Sequence, residues 1–173
     1  MQKTLTLRPN ADVSIQLGNS AGSGTNYDKI DEATLDESDY VKCSWGTDQK
    51  DLYGWPNHSA EQQGKIIEVI AYAQAEYIRS GSGGSGEKVY FCIPDDGHQT
   101  EIGTLTTTST LFHQHFAINP HTGAAWTWAE IDALTAGLRL VVGGEFGNQD
   151  APYVYQYYLE VIYDTTGDFF QLF

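Results

Sequence analysis

Residues 119–140, NPHTGAAWTWAEIDALTAGLRL, constrain the fold more than any other stretch of this chain. Thr127 is an N-cap residue and Glu130 stands three positions on, which together make a capping box. Trp128, Ile131 and Leu134 follow at i, i+3 and i+6, so one side of a short helix is apolar. The pattern predicts a helix over 127–134, ended by Gly137. On either side the period changes. Residues 112–118 alternate, as a strand does, and 138–142 form a short apolar run. A two-turn helix between two strands buries its apolar side by capping an edge or end of a sheet.

Strand signals recur along the chain. Residues 3–8, 13–17, 40–45, 51–55, 87–93, 101–108 and 109–118 all read as strands, punctuated by turn formers such as Pro9-Asn10 and Asp95-Asp96-Gly97. Residues 59–79 carry two patterns. Ser59 and Gln62 suit a capping box, with Ile66, Ile70, Ala73 and Tyr77 at helical spacing. Strand alternation instead puts Ile67, Val69, Ala71, Ala73 and Ala75 on one face and Glu68, Ile70, Tyr72, Gln74 and Glu76 on the other. Gly64 inside the candidate helix and the β-rich surroundings favour a strand over 65–79, with GSGGSG at 81–86 as a hairpin loop. Residues 153–163 alternate too: Tyr153, Tyr155, Tyr157, Leu159, Val161 and Tyr163 face one way, Val154, Gln156, Tyr158, Glu160 and Ile162 the other. About ten short strands with one helix make an all-β chain, an antiparallel jelly-roll-like β-sandwich. It is expected to occupy 1–173 as a single domain.

Charge narrows the partners. Nine Lys and Arg against 23 Asp and Glu leave a formal charge of −14, which repels phosphates; nucleic acid and anionic membranes are not expected partners. No apolar run reaches membrane-spanning length, and MQKTLTLRPNADV has no signal-peptide core. The expectation is a protein made in a cytoplasm and released by lysis. Cys43 and Cys92 read as buried thiols, bridged only if their strands are adjacent.

Three groups of side chains are candidates for a site. Trp45, Tyr53, Trp55 and the Tyr-rich last strand exceed what one core needs; with Trp126 and Trp128 they are candidate ligand or interface residues. Core packing is the competing reading. His113 and His115, at i and i+2, share a strand face and could hold zinc or copper, although spacing supplies no third ligand. Phe112 and Phe116 point the other way, which places the His pair on the solvent side. The acidic loop around Asp28, Asp31 and Glu32 continues to Asp36, Glu37 and Asp39, candidate ligands of a structural calcium; EF-hand spacing is absent. No other cofactor is implied. Neither a nucleophile elbow nor HExxH nor a phosphate loop occurs, and no carboxylate pair stands out, so the chain does not read as an enzyme.

The segments LRPNADVSIQLGNSAG, YDKIDEAT, DESDYV, DLYGW, GKIIEVIAYAQAEYI, HFAINPHTGAAWTWAEIDALTAGLRL and YQYYLEVIY span nearly the whole chain. Together they resemble a family of phage and prophage virion-associated β-sandwich proteins. The late NPHTGAAWTWAEIDALTAG is the most specific part, and the closing FFQLF runs past the family's last strand. The resemblance implies a jelly-roll-like domain on a virus particle, in a head decoration, fibre or tail-associated role. Its partners would be other copies of itself and shell or tail proteins. The resemblance carries no catalytic residues. Such a fold is also similar to carbohydrate-binding modules, so recognition of a host or environmental glycan is the rival expectation. An assembly protein buries Tyr and Trp between copies, whereas a sugar binder leaves two or three rings in a coplanar row.

Overall fold

The computed structural model describes residues 1–44, 47–78, 86–94, 97–142 and 151–165. These hold strands β1 (Gln2–Leu7), β2 (Ala11–Ser14), β3 (Gly18–Asn19), β4 (Val41–Lys42), β5 (Asp48–Gly54), β6 (Lys65–Ile78), β7 (Lys88–Cys92), β8 (Gln99–Thr104), β9 (Thr110–Phe116), β10 (Gly137–Val141) and β11 (Ala151–Asp164). One helix, α1 (Trp128–Asp132), and a 3-10 turn at Tyr27–Lys29 complete the described elements. The expected strand at 65–79 is β6, and the helical alternative falls. Arg79, the 81–85 part of the GSGGSG loop and the FFQLF tail lie outside the described residues.

All strand pairs are antiparallel, in two packed sheets. One runs β3-β4-β11-β6-β9, with β1 also on β11; the other runs β2-β5-β10-β7-β8. From β4 onward the pairing is nested: β4 with β11, β5 with β10, β6 with β9, β7 with β8. A long antiparallel ribbon rolled into two sheets produces this order, which is the jelly roll.

The two 14-residue strands β6 and β11 form the spine. Neither keeps a plain alternation. Val154 pairs with Ala75 and Gln156 with Gln74, so Tyr155 is an extra residue on β11. Ile162 pairs with Glu68 and Tyr163 with Ile66, so Ile67 is an extra residue on β6. Each bulge swaps the face of what lies beyond it. Val154 therefore turns inward with Tyr157, Leu159, Val161 and Tyr163, while Ile66 is buried and Ile67 is 40% exposed. The expected sets, with Val154 opposite Tyr157 and Ile67 beside Val69, are corrected on both strands.

The core explains the run of alanines. Ala73 sits opposite Tyr157 and Ala71 opposite Leu159, small against large. Tyr157 crosses the sandwich to stack on Phe91 of β7 at 5.7 Å, with Trp55 and Tyr53 at 5.2 and 6.1 Å. Burying each such ring contributes about 1.5–3 kcal/mol. Cys43 and Cys92 are both buried, and no disulfide joins them.

Gly137 does not end the helix. The cap is Ala133, and Gly137 opens β10, where a Cβ would stand 1.9 Å from the Asp51 carbonyl oxygen. A polar knot holds the loop over this region. Buried Asp51 accepts the backbone N–H of Gln16 and Leu17, the Asn26 amide and the Tyr53 hydroxyl. Asp12 accepts the N–H of Asn26 and Tyr27. Burial pushes the Asp51 carboxyl up, against the pull of Asn26, Leu17, Gln16 and Tyr53.

Candidate functional site

Aromatic residues expected to meet a ligand are mostly inside. Tyr53 is fully buried with its hydroxyl on Asp51, and Trp55 is 6% exposed. Trp126 is buried and donates its indole N–H to the Phe116 carbonyl at 2.9 Å. Large rings lose the most by staying in water, so the core takes them first. These three therefore offer no surface for stacking. Trp45 lies outside the described residues.

Trp128 is the exception, partly buried at one end of the sandwich. The capping box forms as the spacing predicts: Thr127 Oγ1 accepts the Glu130 N–H, and Glu130 accepts the Thr127 N–H at 2.7 Å. This start turns Trp128 back over β6 and β11. Its indole donates to the Gly64 carbonyl at 2.9 Å, stands edge-on to Tyr163, and stacks on His58 at 4.8 Å. Nδ1 and the backbone N–H of His58 reach Asp132 Oδ1 at 2.8 and 2.9 Å. These bonds, the imidazole's first, hold the Asp132 carboxyl below its ordinary value. The helix thus latches the β5–β6 loop. Neither His58 nor Asp132 was legible as a pair, being 74 positions apart.

Beside the helix is an open hollow of about 300 Å³, lined by Pro94, Asn119, His121, Thr122, Glu130 and Leu134, among others. Glu130 is the one carboxylate among its described lining residues. Desolvation raises the carboxyl of Glu130, but Thr127, Asn119 and Thr122 bond it and hold it lower overall. It organises the loop at the start of the helix.

The acidic loop is likewise occupied. Asp36 accepts the hydroxyl and N–H of Ser38, which lower its carboxyl. Asp39 accepts the Ser20 hydroxyl at 2.9 Å and lies 3.7 Å from Lys29. Glu37 is exposed. Among the described residues, no three His, Cys, Asp or Glu side chains group as a metal would require.

His113 and His115 do lie on the outer face of the larger sheet, with Phe116 turned into the core. The pairing register adds what spacing missed. Tyr158 pairs with Tyr72, and Tyr72 with His113, so the three stand in one row across β11, β6 and β9. Tyr72 and Tyr158 stack at 4.6 Å with 9° between planes, and His113 is 5.9 Å from Tyr72. Arg8, just past β1, closes the row with its guanidinium 5.1 Å over the Tyr158 ring. The same guanidinium donates to the Asp31 and Glu32 carbonyls, anchoring the acidic loop beside the row. One register on, Tyr72 donates to Glu160 at 3.1 Å and His115 Nδ1 is 2.8 Å from Glu68. Burial and then the Glu160 bond push the Tyr72 phenol up to about 12. Tyr72 and Tyr158 each turn one ring face to the other, and the Arg8 guanidinium lies over Tyr158.

No helix of the described residues is long and apolar enough to cross a membrane. The chain is thus defined as an antiparallel jelly-roll sandwich with an aromatic and histidine row on one outer face. No family model matches its sequence, and no curated protein matches it.

Proposed function

We propose that this chain is a non-enzymatic structural protein of a phage-like virion. It would serve as a head decoration, head fibre or tail-associated component that self-associates and docks on a shell or tail. The observation that supports this most is the row Arg8, Tyr158, Tyr72 and His113 standing outside the core. The jelly roll is shared by viral shells and lectins, so the fold alone does not choose between them. The row does. Tyr and Arg are the residue types most enriched at protein contacts. A sugar ring needs a flat ring face open to solvent; Tyr72 and Tyr158 each turn one face to the other, and Arg8 lies over Tyr158. The excess of 14 negative charges agrees with a protein displayed in solvent on a particle.

The test is co-sedimentation with virus particles from the strain that carries the gene. The wild-type chain pellets with particles, and the double variant Tyr72→Ser/Tyr158→Ser stays in the supernatant with an unchanged far-UV spectrum. A chain that does not pellet overturns the reading. Glycan-array binding abolished by the same double variant would replace it with a carbohydrate-binding module.

A further inference from the structure

Among the described strands, most sheet edges are blunted against pairing with another chain, and one is not. Exposed edge strands template unwanted partners, and proteins block them with shortness, charge or bulges. Strand β3 has two residues. Strand β1 carries Lys3 and is followed by Arg8. Strand β2 has four residues and a bulge at Val13, between the pairs Asp12 with Tyr53 and Ser14 with Leu52. Strand β8 carries Glu101 and a bulge at Ile102, between the pairs Val89 with Gly103 and Tyr90 with Glu101.

Strand β9, TLFHQHF, has seven residues, a continuous register against β6, and no Asp, Glu, Lys, Arg or Pro. Among the described residues no strand pairs with its other edge. Leu111 is 46% exposed on its outer face, in line with His113 and His115. The Phe112 ring lies where a Cβ on Gly103 would stand, so β8 packs beneath it and holds the strand in place.

We infer that β9 is the self-association edge, pairing antiparallel with β9 of a second copy across a two-fold axis at His113. This deepens the self-association part of the proposed function and rests on it. An antiparallel strand pair is its own symmetric partner, so one surface serves both copies. Centring on His113 uses all seven residues and keeps outer face with outer face. Leu111 then lies beside the partner's His115, and Thr110 beside the partner's Phe116. His113 meets its own symmetry mate, and the row from Arg8 to His113 continues unbroken into the other copy. Electrostatics selects the occupant. Two chains of charge −14 repel over most of their surfaces, and β9 is a stretch where contact adds no acidic side chain of its own to that repulsion.

Analytical ultracentrifugation and cysteine cross-linking test this with the full chain. Opposed residues of an antiparallel pair have Cα atoms about 4.5–5.5 Å apart, within disulfide reach. His113→Cys therefore forms a disulfide-linked dimer under mild oxidation. Leu111→Cys alone does not, being about 14 Å from its mate along the strand. Leu111→Cys/His115→Cys does. Cys43 and Cys92 are buried and contribute little background. His113→Glu, a side chain exposed in the single copy, weakens the dimer about 100-fold by opposing like charges. Val13→Lys on the β2 edge leaves it unchanged. A dimer that ignores His113→Glu and does not cross-link at His113 overturns the β9 edge while self-association stands. A monomer at all concentrations overturns the edge too, and docking on particles is then judged by co-sedimentation alone.

Discussion

Tyr72 and Tyr158 lie face to face across β6 and β11, ring centroids 4.6 Å apart and planes 9° apart, on the outside of the larger sheet. Neither ring belongs to the core, yet the register places them opposite one another in the spine of the fold. Stacked pairs couple by about 0.5–1.5 kcal/mol beyond their buried area. A double-mutant cycle with Tyr72→Ala and Tyr158→Ala, read by denaturant melts, returns a coupling in that range. Additive effects would show that the stack is incidental.

Gly137→Ala tests the closest approach in the smaller sheet. The new Cβ meets the Asp51 carbonyl oxygen at 1.9 Å and its carbon at 2.8 Å, so β5 and β10 must separate. Backbone on backbone gives no side chain that can swing away. The expected loss is about 3 kcal/mol, the upper part of the range for overpacking. A loss under about 0.5 kcal/mol, the size of an ordinary surface change, would mean the strands slide freely here.

Tyr157→Phe runs the other way. The Tyr157 hydroxyl is buried amid Phe91, Trp55 and Tyr53, with no hydrogen-bond partner among the described residues. Leaving such a group unpaired costs about 1–3 kcal/mol, and removing the oxygen keeps the shape of the ring. The variant should melt higher by about 1 kcal/mol, measured in urea. A destabilised variant would reveal a bond to that hydroxyl.

The latch between His58 and Asp132 sets a pH dependence. The Asp132 carboxyl is held below its ordinary 3.8 by the His58 imidazole and N–H. A depressed carboxyl contributes stability fully above the unfolded value and loses it as pH falls through the folded one. Asp132→Asn should therefore melt lower than wild type at pH 6, with the gap closing as pH falls below about 4. Parallel melting curves from pH 6 to pH 3 would rule the latch out as a source of acid sensitivity.

How much was legible depended on how local each signal was. The capping box at Thr127 and Glu130 is written within four residues, and it forms as spelled. The His113 and His115 face was legible for the same reason: side chains two apart on a strand share a side. Tyr53, Trp55 and Trp126 were not placed by composition, because the same rings suit a core or a surface and only the packing of two sheets decides. The row at Tyr72, Tyr158 and Arg8 joins positions 8, 72 and 158, which no window of sequence brings together.

By itself the sequence determined the strand-rich class, the jelly-roll-like sandwich, the site of helix α1 and the acidic balance. These follow from periodicity, turn residues and charge, which are properties of neighbours in the chain. Tertiary structure alone decided which face of each long strand is inner. Bulges at Ile67 and Tyr155 shift the alternation partway along, and a bulge exists only as a mismatch between two paired strands. Tertiary structure also decided the role of Gly137. Its missing side chain reads as a helix stop locally, but its physical reason is the Asp51 carbonyl lying where a Cβ would be.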